Sequence, residues 1–177
     1  MRPYYKPSNY TLHNSVGYLM RMSTNRVLPQ MEALFEDQEL TFSQWTTLVA
    51  LHSGVSTAGD LAYNICHDAG SLTRLIDQLV ERGLVVRRRS ETDRRVVTLA
   101  LTPHGSDLVE KSAPLVMEFW NRMLSGFTHA EIETLIALLT RLAVTAEGKS
   151  REGRLSLLMN DQPILKAAQK APKGKKS

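Results

Sequence analysis

The chain of 177 residues contains a single cysteine, Cys66, which excludes an internal disulfide bond and a cysteine-based zinc site within one chain. It has no apolar run approaching the roughly 20 residues that a membrane-spanning helix needs. The segment from Met1 to Tyr10 lacks the apolar stretch of a secretory signal. We therefore expect no metal site, no membrane association and a cytoplasmic location.

Enzyme signatures are also missing from the sequence. It contains no glycine-rich phosphate loop, no His-Glu-x-x-His run and no elbow motif around a serine. We therefore expect a protein that binds a partner, not an enzyme, and we expect no cofactor.

Positive charge is in excess and is unevenly distributed. The formal net charge is +4, from 22 lysines and arginines against 18 aspartates and glutamates, which suits a polyanionic partner. Basic residues concentrate between Arg82 and Arg95 and again between Lys166 and Lys176. The first cluster lies inside a foldable pattern, whereas the Ala, Lys, Pro, Gly and Ser composition of the second predicts a disordered tail.

Apolar residues at helical spacing predict long helices towards both ends of the chain. The first is predicted from Tyr10 to Phe35, with a kink or a break near Leu28, because Pro29 removes a backbone donor and crowds the preceding turn. Thr102-Pro103 and the capping box from Thr128 to Glu131 begin two further helices. Pro114 is expected to bend the first of these two.

Three shorter helical patterns lie between the long helices. Capping boxes at Thr41 to Gln44 and at Thr57 to Asp60 begin the first two. Asp68 is a suitable N-cap for the third, and Gly83 is a natural residue to end it.

The periodicity then changes from helical to extended. Residues 84–89 and 96–101 read as strands that flank a polar tip at 90–94, as in a β-hairpin. The order of helix, turn, helix and hairpin is typical of a winged helix-turn-helix. We therefore predict a mainly α fold with a small β-hairpin wing.

The third short helix and the hairpin are the segments best suited to DNA. The first residues of such a helix would face base edges in the major groove, where Arg74 can bind a guanine through two hydrogen bonds or clamp the backbone. Arg94 and Arg95 suit a narrow minor groove, and Asp93 would orient one of them. The alternative is that these are solvated surface positions. The candidate DNA-binding residues are His67, Ser71, Thr73, Arg74, Arg88, Arg89, Asp93, Arg94 and Arg95.

These segments resemble the MarR family, the multiple antibiotic resistance type of regulators, from about Tyr10 to Glu147. The resemblance rests on Phe42-Ser-Gln-Trp45, Leu61-Ala62, Leu72-Thr-Arg-Leu-Ile-Asp-Gln-Leu-Val-Glu-Arg-Gly-Leu84 and, most specifically, Asp93-Arg-Arg-Val-Val-Thr-Leu-Ala-Leu-Thr102 with Gly105. The chain departs from the family at Cys66, where glycine is frequent, and at Ala69-Gly70, where polar residues are common. Weaker base readout is therefore expected from the start of the third short helix, which would be the DNA-recognition helix.

The resemblance implies a homodimer built from the N- and C-terminal helices, a palindromic operator in double-stranded DNA and repression that a small molecule relieves. It implies a winged helix-turn-helix domain at 10–147, with its core at about 41–102 and dimerisation helices at about 10–36 and 103–147. A basic extension at 148–177 would follow, disordered from about 166.

The resemblance also implies an effector similar to an aromatic carboxylate, bound between the dimerisation helices and the winged domain. Arg21 or His52 would meet an anion, and a tryptophan would stack on a ring. The alternative is that the tryptophans are core residues and the histidines ordinary helix positions. The candidate effector residues are His13, Arg21, Trp45, His52, Met117 and Trp120.

Two other interpretations stay open. In one, the winged helix packages DNA without sequence preference or contacts protein, and the basic run from Lys166 to Lys176 adds electrostatic affinity. In the other, oxidation of Cys66 disturbs the DNA-reading surface. The neighbouring carboxylate of Asp68 disfavours the reactive thiolate, and the family's oxidation-sensing members place their cysteine near the first helix.

Overall fold

A computed structural model describes residues 3–65, 69–89 and 97–147. The chain divides into two compact units, the first ending at Phe42 and the second beginning at Ser43. No helix within the described ranges is both long and apolar enough to cross a membrane. The described elements are α1 (Val16–Ala33), α2 (Phe42–His52), α3 (Ala58–Ile65), α4 (Ala69–Glu81), β1 (Val85–Arg89), β2 (Val97–Leu101), α5 (Pro103–Met123) and α6 (His129–Glu147), with short 3-10 helices at Leu12–Asn14 and Glu36–Gln38.

The first long helix begins later than predicted and does not break. A 3-10 turn at Leu12–Asn14 precedes it, and the Ser15 hydroxyl then accepts a hydrogen bond from the Tyr18 N–H at 3.4 Å, which caps α1. The helix continues through Pro29 to Ala33, so the predicted break is wrong. Proline removes its own N–H donor and crowds the preceding turn, but the other turns of this 18-residue helix continue on both sides of it.

The predicted hairpin is confirmed. β1 and β2 pair antiparallel in a register that runs from Val85 opposite Leu101 to Arg89 opposite Val97. On the other side of β2, the Leu99 N–H donates to the carbonyl oxygen of Ser56 at 2.7 Å. The segment that leads into α3 therefore holds the hairpin against the helices of the second unit.

One face of each helix from α2 to α5 supplies the core of the second unit. In α4 the apolar residues Leu72, Leu75, Ile76 and Leu79 are buried. Gly83 follows the helix with a φ of +66°, which confirms its role as the terminating residue. The buried apolar residues of this unit include Leu48, Leu61, Leu72, Ile76, Leu79, Leu84, Val85, Leu99, Val109, Val116 and Phe119.

α5 begins where the chain passes very close to Gly83 and Leu84, the residues that follow α4. The Thr102 hydroxyl donates to the Gly83 carbonyl oxygen at 2.7 Å and accepts from the Gly105 N–H at 3.0 Å. The Thr102 N–H donates to the Leu84 carbonyl oxygen at 3.0 Å. A Cβ atom at Gly105 would lie 2.2 Å from that same oxygen, so only glycine fits here. From this start, α5 runs through Pro114 to Met123.

The capping box predicted for α6 is confirmed. The Glu131 carboxylate accepts hydrogen bonds at 2.8 Å from both the N–H and the hydroxyl of Thr128, and the Glu131 N–H donates to the Thr128 hydroxyl at 3.3 Å. These bonds, the backbone one first, hold the pKa of the Glu131 carboxyl below its ordinary value.

Candidate nucleic-acid interface

The exposed face of α4 carries three of the predicted DNA-binding residues. Its buried stripe packs into the core, and this leaves Ser71, Thr73 and Arg74 exposed to solvent. α4 begins at Ala69, so all three lie in its first two turns. A helix docked in the major groove contacts base edges with its N-terminal residues, which is where these side chains stand.

Arg74 is the exposed cation of this face. Among the described residues its guanidinium makes no ion pair, and the salt bridge in that part of the chain joins two other residues, Arg87 and Asp77. An exposed guanidinium with its donors available suits a guanine edge or a phosphate.

The wing strand carries the next two predicted residues. Arg88 and Arg89 are both exposed on β1, opposite Thr98 and Val97 respectively. Successive side chains on a strand point to opposite faces of the sheet, so these two arginines lie on opposite faces. A duplex that contacts α4 can therefore meet only one of these two arginines.

Arg87 has a role that sequence reasoning missed. Its Nη2 atom lies 2.5 Å from Oδ1 of Asp77, and the ion pair joins β1 to the exposed side of α4. A signal was available in the sequence, since Arg87 lies two residues after Val85, the buried position of the strand. The alternation of side chains therefore places Arg87 on the face of the sheet that is turned to the helices.

A second polar link holds α4 to α2. The side chain of Gln44 is buried, its Nε2 donates to Oε1 of Gln78 at 3.1 Å, and its Oε1 accepts from Nη1 of Arg82 at 3.5 Å. Sequence reasoning noted Gln44 only as part of a motif. Because buried polar groups are costly when unpaired, this amide fixes how the two helices pack.

Four predicted DNA-binding residues, His67, Asp93, Arg94 and Arg95, lie outside the described residues. Cys66 and the extension at 148–177 also lie outside them. Their proposed roles stay predictions.

The predicted effector residues are divided between the two units. In the first unit His13 and Arg21 are exposed. In the second unit Trp45 is buried, His52 is half-buried, and Met117 and Trp120 are exposed. The burial of Trp45, 6% exposed, fits the alternative that it is a core residue. The Trp120 ring meets Phe119 edge to face, with centroids 5.5 Å apart.

The described residues also bear on metal binding. Among them, no three histidine, cysteine, aspartate or glutamate side chains are placed to share a metal ion.

Comparison with known proteins matches this part of the chain to a family of regulators. The model of the MarR family matches residues 40–97, which run from just before α2 to the first residue of β2. The organic hydroperoxide resistance transcriptional regulator of Bacillus subtilis (strain 168) is 29% identical over 105 residues, which cover 59% of this chain and 71% of that protein.

Two solved structures share this fold. One is of a protein whose DNA binding a small molecule regulates, and the other is a complex with DNA. BpsR of Bordetella bronchiseptica, whose DNA binding is regulated by 6-hydroxynicotinic acid, is 27% identical with a TM-score of 0.68, over 76% of this chain and 96% of that one. A cysteine-to-serine mutant of MarR from E. coli, in complex with operator DNA, is 26% identical with a TM-score of 0.64, over 72% of this chain and 92% of that one.

Proposed function

Since this chain belongs to the MarR family of DNA-binding transcriptional regulators, we propose that it binds a palindromic operator as a homodimer and represses transcription until a small molecule releases it. The observation that carries the DNA-binding part is the exposed face of α4. Arg74 stands there without an ion pair to any described residue, beside Ser71 and Thr73, while the opposite face of the helix is locked into the core. One of the two exposed arginines Arg88 and Arg89 on β1 supplies a second contact to the same duplex.

The test is operator binding by the purified full chain. The probe is the DNA immediately upstream of its own gene, compared with a shuffled duplex of the same composition across a salt series. Electrostatic binding to any duplex falls steeply with salt, whereas a specific dimer keeps a preference of roughly 10³-fold or more. Equal affinity for both duplexes at every salt concentration contradicts a specific regulator and favours the packaging alternative.

Arg74→Ala separates base readout from general electrostatics. We expect it to lower operator affinity by about 1–3 kcal/mol, because one bidentate contact to a base contributes that much discrimination. Arg122→Ala is the matched control, since it removes the same charge from an exposed position on α5. If the two variants lose the same affinity, α4 does not read the operator as proposed.

The dimer proposal rests on the exposed apolar side chains of α6. A contiguous apolar surface of this kind usually marks an interface between proteins. These residues are 38–59% exposed in the single chain, and they are Leu135, Ile136, Leu138, Leu139 and Leu142.

Leu139→Glu tests this interface by sedimentation. We expect the variant to sediment as a monomer, because the new carboxylate would be buried unpaired between two copies. Ala137→Glu is the control, because a position two residues away points to the opposite side of the helix and the added charge is the same. A dimer that survives Leu139→Glu unchanged contradicts this interface.

The effector proposal takes its chemistry from the family resemblance and from BpsR, whose DNA binding responds to 6-hydroxynicotinic acid. We expect an aromatic carboxylate to release this chain from its operator. Arg21→Ala and His52→Ala are the first variants to test, since either side chain would donate a hydrogen bond to the carboxylate. A variant that binds DNA normally but no longer responds to the acid identifies the anion contact, and a response unchanged in both excludes these two residues.

A further inference from the structure

We propose that Arg87 is a positioning residue for DNA recognition: by pairing with Asp77 it neutralises a carboxylate on the DNA-facing side of α4 and keeps Arg74 available for the duplex. The inference rests on the proposed function. It assigns to the ion pair between β1 and α4 a role in binding and not in folding.

Asp77 places a negative charge on the same exposed face of α4 as Arg74. Asp77 lies three residues after Arg74, which is close to one helical turn, so both side chains belong to the same exposed face. A bare carboxylate there would repel the phosphates of a docked duplex. It would also attract the nearest cation on its own helix, and that cation is Arg74.

The hairpin supplies the compensating charge from outside the helix. The Nη2 atom of Arg87 lies 2.5 Å from Oδ1 of Asp77, in direct contact, so the two side chains form a charge-assisted hydrogen bond. Arg87 stands opposite Leu99 in the ladder, on the face shared with buried Val85, so its side chain is directed towards the helices. Arg88, the next residue, points to the other face of the sheet and does not substitute for it.

The exposure of the two side chains indicates that this ion pair contributes little to folding stability, so a role in DNA binding can be tested apart from folding. The two side chains are 43% and 56% exposed, and ion pairs at such positions contribute little to folding stability. Loss of Arg87 is therefore expected to leave the melting temperature almost unchanged. Its effect should appear when DNA approaches, because a duplex removes water and brings phosphates next to the uncompensated carboxylate.

A double-mutant cycle on the full chain tests the inference, with operator affinity and its salt dependence as the readouts. Arg87→Gln is expected to weaken operator binding roughly tenfold, since it exposes the Asp77 carboxylate. Asp77→Asn is expected to bind at least as well as the wild type. In the double variant the loss should disappear, with an affinity within about twofold of Asp77→Asn alone. Arg87→Lys, which keeps the charge, should recover most of the wild-type affinity.

Arg88→Gln is the comparison variant, because it removes one positive charge from the neighbouring position on the other face of the strand. If Arg88 touches the DNA backbone, its loss is the same with Asp77 and with Asn at position 77, and the salt slope falls by about one. If Arg87→Gln behaves in this way, or changes nothing, Arg87 is not a positioning residue and the inference is overturned. A wild-type chain without preference for any duplex instead overturns the proposed function, and the inference with it.

Discussion

Replacing Gly105 with alanine is expected to destabilise the second unit by about 2–4 kcal/mol. The new methyl group would lie 2.2 Å from the Leu84 carbonyl oxygen, whereas an ordinary contact of this kind begins at 3.4 Å. The two backbones would therefore have to separate by about 1 Å where α5 begins.

The Leu84 carbonyl has little freedom to move away. It accepts the Thr102 N–H at 3.0 Å and also lies 3.3 Å from the Thr102 hydroxyl, so a displacement weakens the bonds that close the hairpin onto α5. Each lost hydrogen bond contributes about 1 kcal/mol, and forcing a methyl group into a packed site costs about 1–3 kcal/mol more. For a chain of this length the melting temperature should fall by roughly 5–15 °C.

Urea unfolding followed by circular dichroism measures the effect, at one protein concentration for all variants because self-association shifts apparent stability. Gly59→Ala is the matched control, since its nearest neighbour outside the helix backbone is the Thr57 hydroxyl at 3.9 Å. Alanine in a helix is favourable, so this control should be neutral or stabilised by up to about 1 kcal/mol. A Gly105→Ala variant within about 0.5 kcal/mol of the wild type would refute the reasoning, because surface substitutions away from special features commonly stay in that range.

Three further substitutions test individual contacts with the same unfolding assay. Leu48→Ala, at a fully buried position of α2, should cost about 2–5 kcal/mol, and a much smaller loss would mean that the core closes around the cavity. Thr57→Ala should cost about 1 kcal/mol because its hydroxyl bonds both the N–H and the carboxylate of Asp60, and an unchanged stability would show that the cap is dispensable. Thr128→Ala should be pH dependent: hydrogen bonds from Thr128 lower the folded pKa of Glu131 from its ordinary value of 4.5, so their contribution is present above that value and is lost as the pH falls through the lowered pKa. The stability difference from the wild type should shrink as the pH falls from neutral to below 4.5, and a constant difference would contradict the assignment.

The helices and the hairpin were predictable because their signals are local. The capping box from Thr128 to Glu131 marked the start of α6, and the change from helical to alternating periodicity marked the hairpin. Pro29 was the exception. A proline has a strong average effect on helices, but the outcome at one position depends on how well the surrounding turns are held.

Strand alternation indicates which face Arg87 lies on, but the partners in the polar links of the candidate site could not be predicted from sequence because they are not local. The Arg87 side chain meets the Asp77 carboxylate 10 residues earlier in the chain, and the Gln44 amide meets the Gln78 amide 34 residues later. Each contact depends on how a helix packs against another element, which residue spacing does not specify. The motif that ends in Leu101-Thr102 and Gly105 suggested a family, but only the fold shows why the glycine is needed.

The arginines of β1 have a consequence for solubility as well as for binding. In the described part of the chain β1 pairs with β2 alone, whereas β2 has a second neighbour at Thr57. An open strand edge offers its N–H and C=O groups to any other extended chain and is a common starting point for aggregation. Arg87 is paired with Asp77, but Arg88 and Arg89 give that edge two adjacent positive charges, so two copies of the strand repel one another before they can pair. Variants that neutralise these arginines to study DNA binding should therefore also be more prone to precipitate, and more so at high salt, which screens the remaining repulsion.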